Sequence, residues 1–229
     1  MKYLRGISFS LTTLVIYLGI PLLGWGVNNI CGFFSIYPRL GYGLLIALLS
    51  LATGYRAIDA PEGIRGRKGD KRKRLRRQSI VSVLITLLLF GVLIFLPYAD
   101  RHSIGVLSDN QVVRWSGLLL AALGLMIIFW SGITLGRMYS AEVTIQHNHE
   151  LITSDLYRYI RHPRYLGALM LALGLPLLFR SWIVLTLFFP FLIVILLRIR
   201  DEEAVLSAEF GIDWEQYCTH SSRLFPFVY

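Results

Sequence analysis

The chain has 229 residues, 55% hydrophobic and only 16% charged, with formal net charge +9 and mean hydropathy +0.59. Soluble domains carry about 25% charge and about 45–50% apolar residues, so this balance is that of a membrane protein. It excludes a disordered chain, because so much apolar surface needs burial. With only Cys31 and Cys218, it also excludes a disulfide scaffold.

Residues 7–27 carry no charge and meet the ~20-residue length of a membrane span. Lys2 and Arg5 precede them, as in a signal peptide, but no small-x-small cleavage site follows; the run reads as a retained first span. A shorter second span covers 40–55. Residues 56–77 then hold ten Lys/Arg against Asp59, Glu62 and Asp70, a net +7, while the rest of the chain sums to +2. The excess charge is therefore one loop. An orientation signal is the plainest use for it, and contact with anionic lipid at 65–77 is a second. Nucleic acid is not expected, since neither interleaved aromatics nor a folded module accompany the basic run.

A third span covers 79–98 and a fourth 112–136, with Arg114 at its start. A polar stretch, 137–165, follows. Two apolar runs, 166–179 and 182–199, are separated only by Arg180 and Ser181 and read as a tight helical hairpin, with Pro176 and Pro190 as candidate kinks. The tail, 200–229, is polar with a few aromatics. The expected fold is thus an all-α integral membrane protein of about six hydrophobic helices. It divides into N-terminal spans with the basic loop (1–111, loop 56–78) and a C-terminal core (112–229). The core comprises loop 137–165, hairpin 166–199 and tail 200–229. The positive-inside rule puts the basic loop, both termini and 137–165 in the cytoplasm, of a bacterial inner membrane or the endoplasmic reticulum. Trp25, Trp115 and Trp182 then fall at the outer interface, where an indole buries its ring and keeps its N–H wet.

The polar segments flanking the hairpin must be neighbours. Ionisable groups gathered at membrane depth are costly and mark function. Arg198 and Glu202 are spaced i, i+4 and share a helix face. Taken alone, they read first as a helix-end salt bridge with a snorkelling arginine rather than as a site. His162 precedes Pro163, which biases it towards an extended backbone, on a turn before a helix starting at Tyr165.

The two motifs together, Arg161-His162-Pro163-Arg164-Tyr165-Leu166-Gly167 and Arg198-x-x-x-Glu202-Glu203-x-x-Leu206-x-x-x-Phe210-Gly211, are joined by a hairpin. They resemble the isoprenylcysteine carboxyl methyltransferase and phospholipid methyltransferase family of integral membrane methyltransferases. Upstream His149-x-Leu151-Ile152 and downstream Tyr217, Arg223 and Pro226 extend the likeness, which covers roughly 112–229. Two positions depart from the family pattern. Asp155 stands where glycine is usual; if that position needs φ > 0, aspartate is among the cheaper substitutes. Arg164 stands where a Met or small residue is usual.

The resemblance implies S-adenosyl-L-methionine as cofactor, in a cytoplasmic pocket closed by the tail. It implies that His149, Leu151, Ile152, Tyr157, His162, Pro163 and Tyr165 line the cofactor and that Glu202 holds its ammonium. Arg198 would face the acceptor, and Arg198 and Glu203 are the catalytic candidates. The chemistry agrees: a carboxylate partners an ammonium, aromatic faces suit adenine and a sulfonium, and a guanidinium grips a carboxylate or phosphate bidentately. A lipophilic acceptor carboxylate of the isoprenylcysteine kind needs no general base. An amine or thiol would need one, with His162, His149 or Glu203 as candidates. Phospholipid or small-molecule N-/S-methylation, a related NADPH-dependent membrane reductase and a non-enzymatic membrane protein stay open as alternatives. No metal site is expected: His-Glu-x-x-His is absent and the spacings match no standard ligand set. Oligomeric state is not legible.

Overall fold

The computed structural model describes residues 2–59, 76–135 and 151–225. These are helical with no strand among them: α1 Lys2–Leu14, a π-turn Val15–Gly19, α2 Ile20–Trp25, α3 Ile30–Phe33, α4 Tyr37–Asp59, α5 Arg76–His102, α6 Gln111–Leu135, α7 Pro163–Leu178, α8 Trp182–Thr186, α9 Phe188–Phe210 and α10 Ile212–His220. Four helical stretches are long and apolar enough to cross a membrane: Lys2–Trp25, Tyr37–Ile58, Gln111–Leu135 and Trp182–Phe210. α5 covers the third expected span, and α7 is the shorter arm of the hairpin. His149 and most of the basic loop lie outside the described residues.

The described residues form two compact units, one from 2–59, 76–120 and 173–186, the other from 121–135, 151–172 and 187–225. In the first, α1 packs on α4 through small residues. A Cβ at Gly6 would sit 2.8 Å from the Gly54 carbonyl oxygen, and Ser10–Ser50 (2.8 Å) and Thr13–Thr53 (3.2 Å) hydroxyl pairs cross the seam. Lipid supplies no hydrophobic drive between helices, so close backbone approach and polar pairs carry such packing. The π-turn has a local cause. Pro21 has no N–H to give the Tyr17 carbonyl four residues back; the Tyr42 hydroxyl donates to that carbonyl instead.

Where α5 ends, the Asp100 carboxylate is fully buried among three guanidiniums. Arg39 Nη1 (2.8 Å) and Arg114 Nη1 (3.0 Å) donate to Oδ2, and Arg114 Nη2 (3.0 Å) and Arg180 Nε (2.9 Å) donate to Oδ1. Leftover donors cap helix ends: Arg39 bonds the Phe33 and Gly32 carbonyls, and Arg114 bonds the Leu178 carbonyl. Arg180, at φ 56, makes the hairpin turn, and its carbonyl accepts from Leu107 N–H at 2.6 Å. Asp109 is held below the usual carboxylate range chiefly by the hydrogen bond from Arg114. Trp25 closes the apolar stretch Lys2–Trp25, but its N–H is not left to solvent. It is buried, its Nε1 donates to the Asn29 carbonyl at 2.9 Å, and Arg39 lies 4.2 Å over its ring. Trp115 and Trp182 remain half exposed.

In the second unit, Ile160, Leu166, Leu169, Ile195, Ile199 and Leu224 form the core, drawn from loop, α7, α9 and tail. Gly167 explains its place in the motif: a Cβ there would lie 2.7 Å from the Gly124 carbonyl oxygen, so α6 and α7 meet backbone to backbone. α7 starts at Pro163 rather than Tyr165. Proline's fixed φ suits the first helical position, and the His162 carbonyl accepts the first bonds, from Tyr165 (3.1 Å) and Leu166 (3.2 Å). α8 and α9 are interrupted at Leu187, one turn before Pro190, which cannot donate to the Thr186 carbonyl. α9 then continues past residue 199 to Phe210, where Gly211 at φ 51 turns the chain into α10.

Candidate functional site

The loop 151–162 runs extended to Ser154, then forms a single 3₁₀ turn, Asp155–Arg158. Asp155 opens that turn at φ 52, the left-handed conformation that the family's usual glycine anticipates. Its Oδ2 accepts from Thr134 Oγ1 of α6 at 3.0 Å. Tyr157 is buried, bonded to Ser131, and burial holds its phenol neutral well above the ordinary range. Its carbonyl accepts from the Tyr217 hydroxyl at 2.6 Å, and burial pushes the Tyr217 phenol up to about 12. Leu151 and Ile152 are half-buried.

The tail runs alongside the loop. Ile160 and Ser222 form a short parallel bridge, with Arg161 N–H donating to Ser222 O (2.8 Å), His162 N–H to Arg223 O (3.1 Å) and Ser222 N–H to Tyr159 O (2.9 Å). Glu203 of α9 closes this junction. Arg161 Nε lies 3.2 Å from Oε1, Arg223 Nε 2.9 Å from Oε2, and His162 Nε2 3.4 Å from Oε1. The His162 ring is 4% exposed, and among the described residues the nearest charged group to its Nε2 is this Glu203 oxygen. Arg161 Nη1 also donates to the Cys218 carbonyl (3.2 Å) and to the Ser221 carbonyl. Desolvation raises the Cys218 thiol. One carboxylate thus gathers cations from the loop and the tail.

On the neighbouring turn, Tyr165 of α7 meets α9. Its hydroxyl donates to Glu202 Oε2 at 2.7 Å and accepts from Arg198 Nε at 2.9 Å. The His162 and Tyr165 rings lie 5.7 Å apart, tilted by 35°. Of the residues singled out in the sequence, Tyr157, His162, Pro163, Tyr165, Arg198, Glu202 and Glu203 are all in this unit. The structure brings His162 to Glu203, and Arg198 and Glu202 to the Tyr165 phenol, while Tyr157 is held by Tyr217 and Ser131. Sequence reasoning gave Arg161 no part as the loop's anchor and missed Ser131 and Thr134 as supports on α6. It also missed the Asp100 cluster of the other unit, whose one signal was ionisable residues at the ends of apolar runs. Among the described residues, no group of three His, Cys, Asp or Glu side chains is set to hold a metal.

The family model of isoprenylcysteine carboxyl methyltransferases matches residues 117–208, which include the first motif and the second from Arg198 through Leu206. A probable protein-S-isoprenylcysteine O-methyltransferase of Oryza sativa subsp. indica is 30% identical over 131 residues, covering 53% of this chain and 65% of the relative. The protein-S-isoprenylcysteine O-methyltransferase of Schizosaccharomyces pombe is 34% identical over 111 residues, 47% of each chain. The chain therefore spans less than two thirds of the length of these relatives. The solved structure of a eukaryotic intramembrane Ras methyltransferase, ICMT (isoprenylcysteine carboxyl methyltransferase), superposes with a TM-score of 0.54 at 16% identity, over 97% of this chain and 98% of that one. With its long apolar helices and this shared fold, the chain is an integral, multi-pass membrane protein. Residues 117–208 thus resemble the isoprenylcysteine carboxyl methyltransferase family, and the chain shares the membrane fold of that solved structure.

Proposed function

We propose that the protein is an S-adenosylmethionine-dependent methyltransferase that esterifies the carboxylate of a lipophilic, isoprenylcysteine-like acceptor at the cytoplasmic face. The observation that carries this is the meeting of the two family motifs at one phenol: Glu202 and Arg198, an ammonium partner and a carboxylate partner, are both bonded to Tyr165. The match of residues 117–208 to the family model and the likeness to isoprenylcysteine O-methyltransferases support it. The +7 loop at 56–77 supports the cytoplasmic orientation.

The residues suit the cofactor. A half-buried carboxylate suits an amino-acid ammonium, and the paired His162 and Tyr165 rings suit a purine. When bound, the cofactor would supply a sulfonium methyl group for esterification of an acceptor carboxylate, with a neutral thioether as leaving group. Glu202 holds the ammonium end. Tyr157, His162, Pro163, Tyr165, Leu151 and Ile152 line the adenosine, and His149 is assigned there by its place in the motif alone. Arg198 aligns the acceptor carboxylate. Alignment is the main demand of an in-line displacement and can supply about 7–11 kcal/mol.

For Glu203, the catalytic candidate of the motif, we favour a structural role. The guanidiniums of Arg161 and Arg223 flank it, and a carboxylate nucleophile needs no base. We assign it to holding loop and tail together as a positioning residue.

Calorimetry of S-adenosylhomocysteine binding to the detergent-purified chain tests the cofactor, with binding expected. Transfer of labelled methyl to N-acetyl-S-farnesylcysteine as a base-labile ester tests the acceptor. Folded protein that binds no S-adenosylhomocysteine refutes the reading.

A further inference from the structure

A phenol has one proton to give, and the Tyr165 phenol has two neighbours that want different things from it. Glu202 Oε2, at 2.7 Å, is an acceptor only. Arg198 Nε, at 2.9 Å, is a donor only. The hydroxyl proton must therefore point to Glu202, and its lone pair to Arg198. Each bond polarises the other in the same sense, because an oxygen that gives its proton to a carboxylate accepts more strongly from a guanidinium. Arg198 and Glu202 sit one turn apart on α9, while Tyr165 comes from α7.

The ring cannot follow a moving partner. Tyr165 packs against the Ile160, Leu166, Leu169, Ile195, Ile199 and Leu224 core, with the His162 ring 5.7 Å away. A guanidinium that turns towards a ligand therefore shortens, lengthens or loses a bond to a fixed oxygen, and the Glu202 bond responds.

We propose that the Tyr165 hydroxyl couples the cofactor-holding carboxylate to the acceptor-holding guanidinium, so that Arg198 acts on cofactor affinity through Tyr165 although it does not itself hold the cofactor. This rests on the roles given to Glu202 and Arg198 under the proposed function. Tyr165 is on this account a positioning residue between the two half-sites. Coupling of this kind is reciprocal: what Arg198 does to the cofactor end, cofactor does to the acceptor end.

The test is a double-mutant cycle read by calorimetry of S-adenosylhomocysteine on the detergent-purified full chain. The proteins are wild type, Arg198→Ala, Tyr165→Phe and the double variant, with thermal midpoints confirming the fold. Phenylalanine keeps the packed ring and removes only the hydroxyl. With Tyr165 in place, Arg198→Ala is expected to weaken S-adenosylhomocysteine binding about fivefold, the low end of measured coupling. In the Tyr165→Phe background it should change binding by less than about twofold, because the bond it acts through is gone. Arg198→Lys should behave like Arg198→Ala, since lysine keeps the charge but lacks the side-on Nε–H that Tyr165 accepts. An equal effect of Arg198→Ala in both backgrounds, no effect in either, or full rescue by lysine overturns the coupling while leaving the cofactor assignment standing. Wild-type protein that binds no S-adenosylhomocysteine overturns that assignment, and the coupling with it.

Discussion

Thr134 of α6 donates a 3.0 Å hydrogen bond to Asp155, a residue held at φ 52. The side chain that tolerates the strained turn is thus also the one that ties the turn to α6. Asp155→Gly should keep the turn and lose the tie, costing within about 1 kcal/mol of stability. Asp155→Val, β-branched at positive φ, should cost about 1–3 kcal/mol and weaken S-adenosylhomocysteine binding further. Chemical unfolding of both variants in detergent checks the order; a valine variant as stable as wild type contradicts it.

Glu203 binds the loop to the tail through Arg161 and Arg223, at 3.2 and 2.9 Å. Glu203→Gln keeps the shape and removes the charge. It should open the junction, exposing the peptide bonds around 221–225 to protease and weakening S-adenosylhomocysteine binding roughly tenfold, since charge-assisted bonds carry roughly twice the strength of neutral ones. Arg223→Ala, half-exposed in the wild type, should do the same more mildly. Limited proteolysis is the direct readout. Unchanged cleavage in both variants contradicts the role given to Glu203.

Asp100 is the single buried counter-charge for Arg39, Arg114 and Arg180 among the described residues. Asp100→Ala strands guanidiniums in a desolvated site and should cost about 3–5 kcal/mol, the usual penalty for removing one partner of a buried ionic group. Replacing Arg180, the least buried of the three, should cost less. Thermal unfolding of the purified variants gives the ranking, and a harmless Asp100→Ala contradicts it.

Tyr217 donates to the Tyr157 carbonyl as a neutral phenol whose ionisation is pushed from 10.0 up to about 12 by burial. The folded state holds this proton more tightly than the unfolded chain. The contribution is therefore intact below pH 10 and falls as pH rises from about 10 to about 12, where the unfolded chain ionises first. Tyr217→Phe should lose stability at neutral pH and show a shallower decline than wild type between about pH 10 and about pH 12. Parallel declines contradict the assignment.

The helical spans were legible because a membrane demands long charge-poor runs, and the chain places them at 7–27, 40–55, 79–98, 112–136 and the hairpin. The need for positive φ at Asp155 was legible too, from one departure in a motif. The burial of Trp25 was not legible, because its ring is covered by Arg39, fourteen residues away in the chain.

By itself, then, the sequence determined the membrane class, the apolar spans and the residue types of the site, since each follows from local composition or spacing. Only the tertiary structure decided which charges meet. Arg39, Asp100, Arg114 and Arg180 lie far apart in the chain yet share one carboxylate. Glu202 and Glu203, adjacent in sequence, point to different partners, because successive helical residues differ by about 100° in direction and face different neighbours.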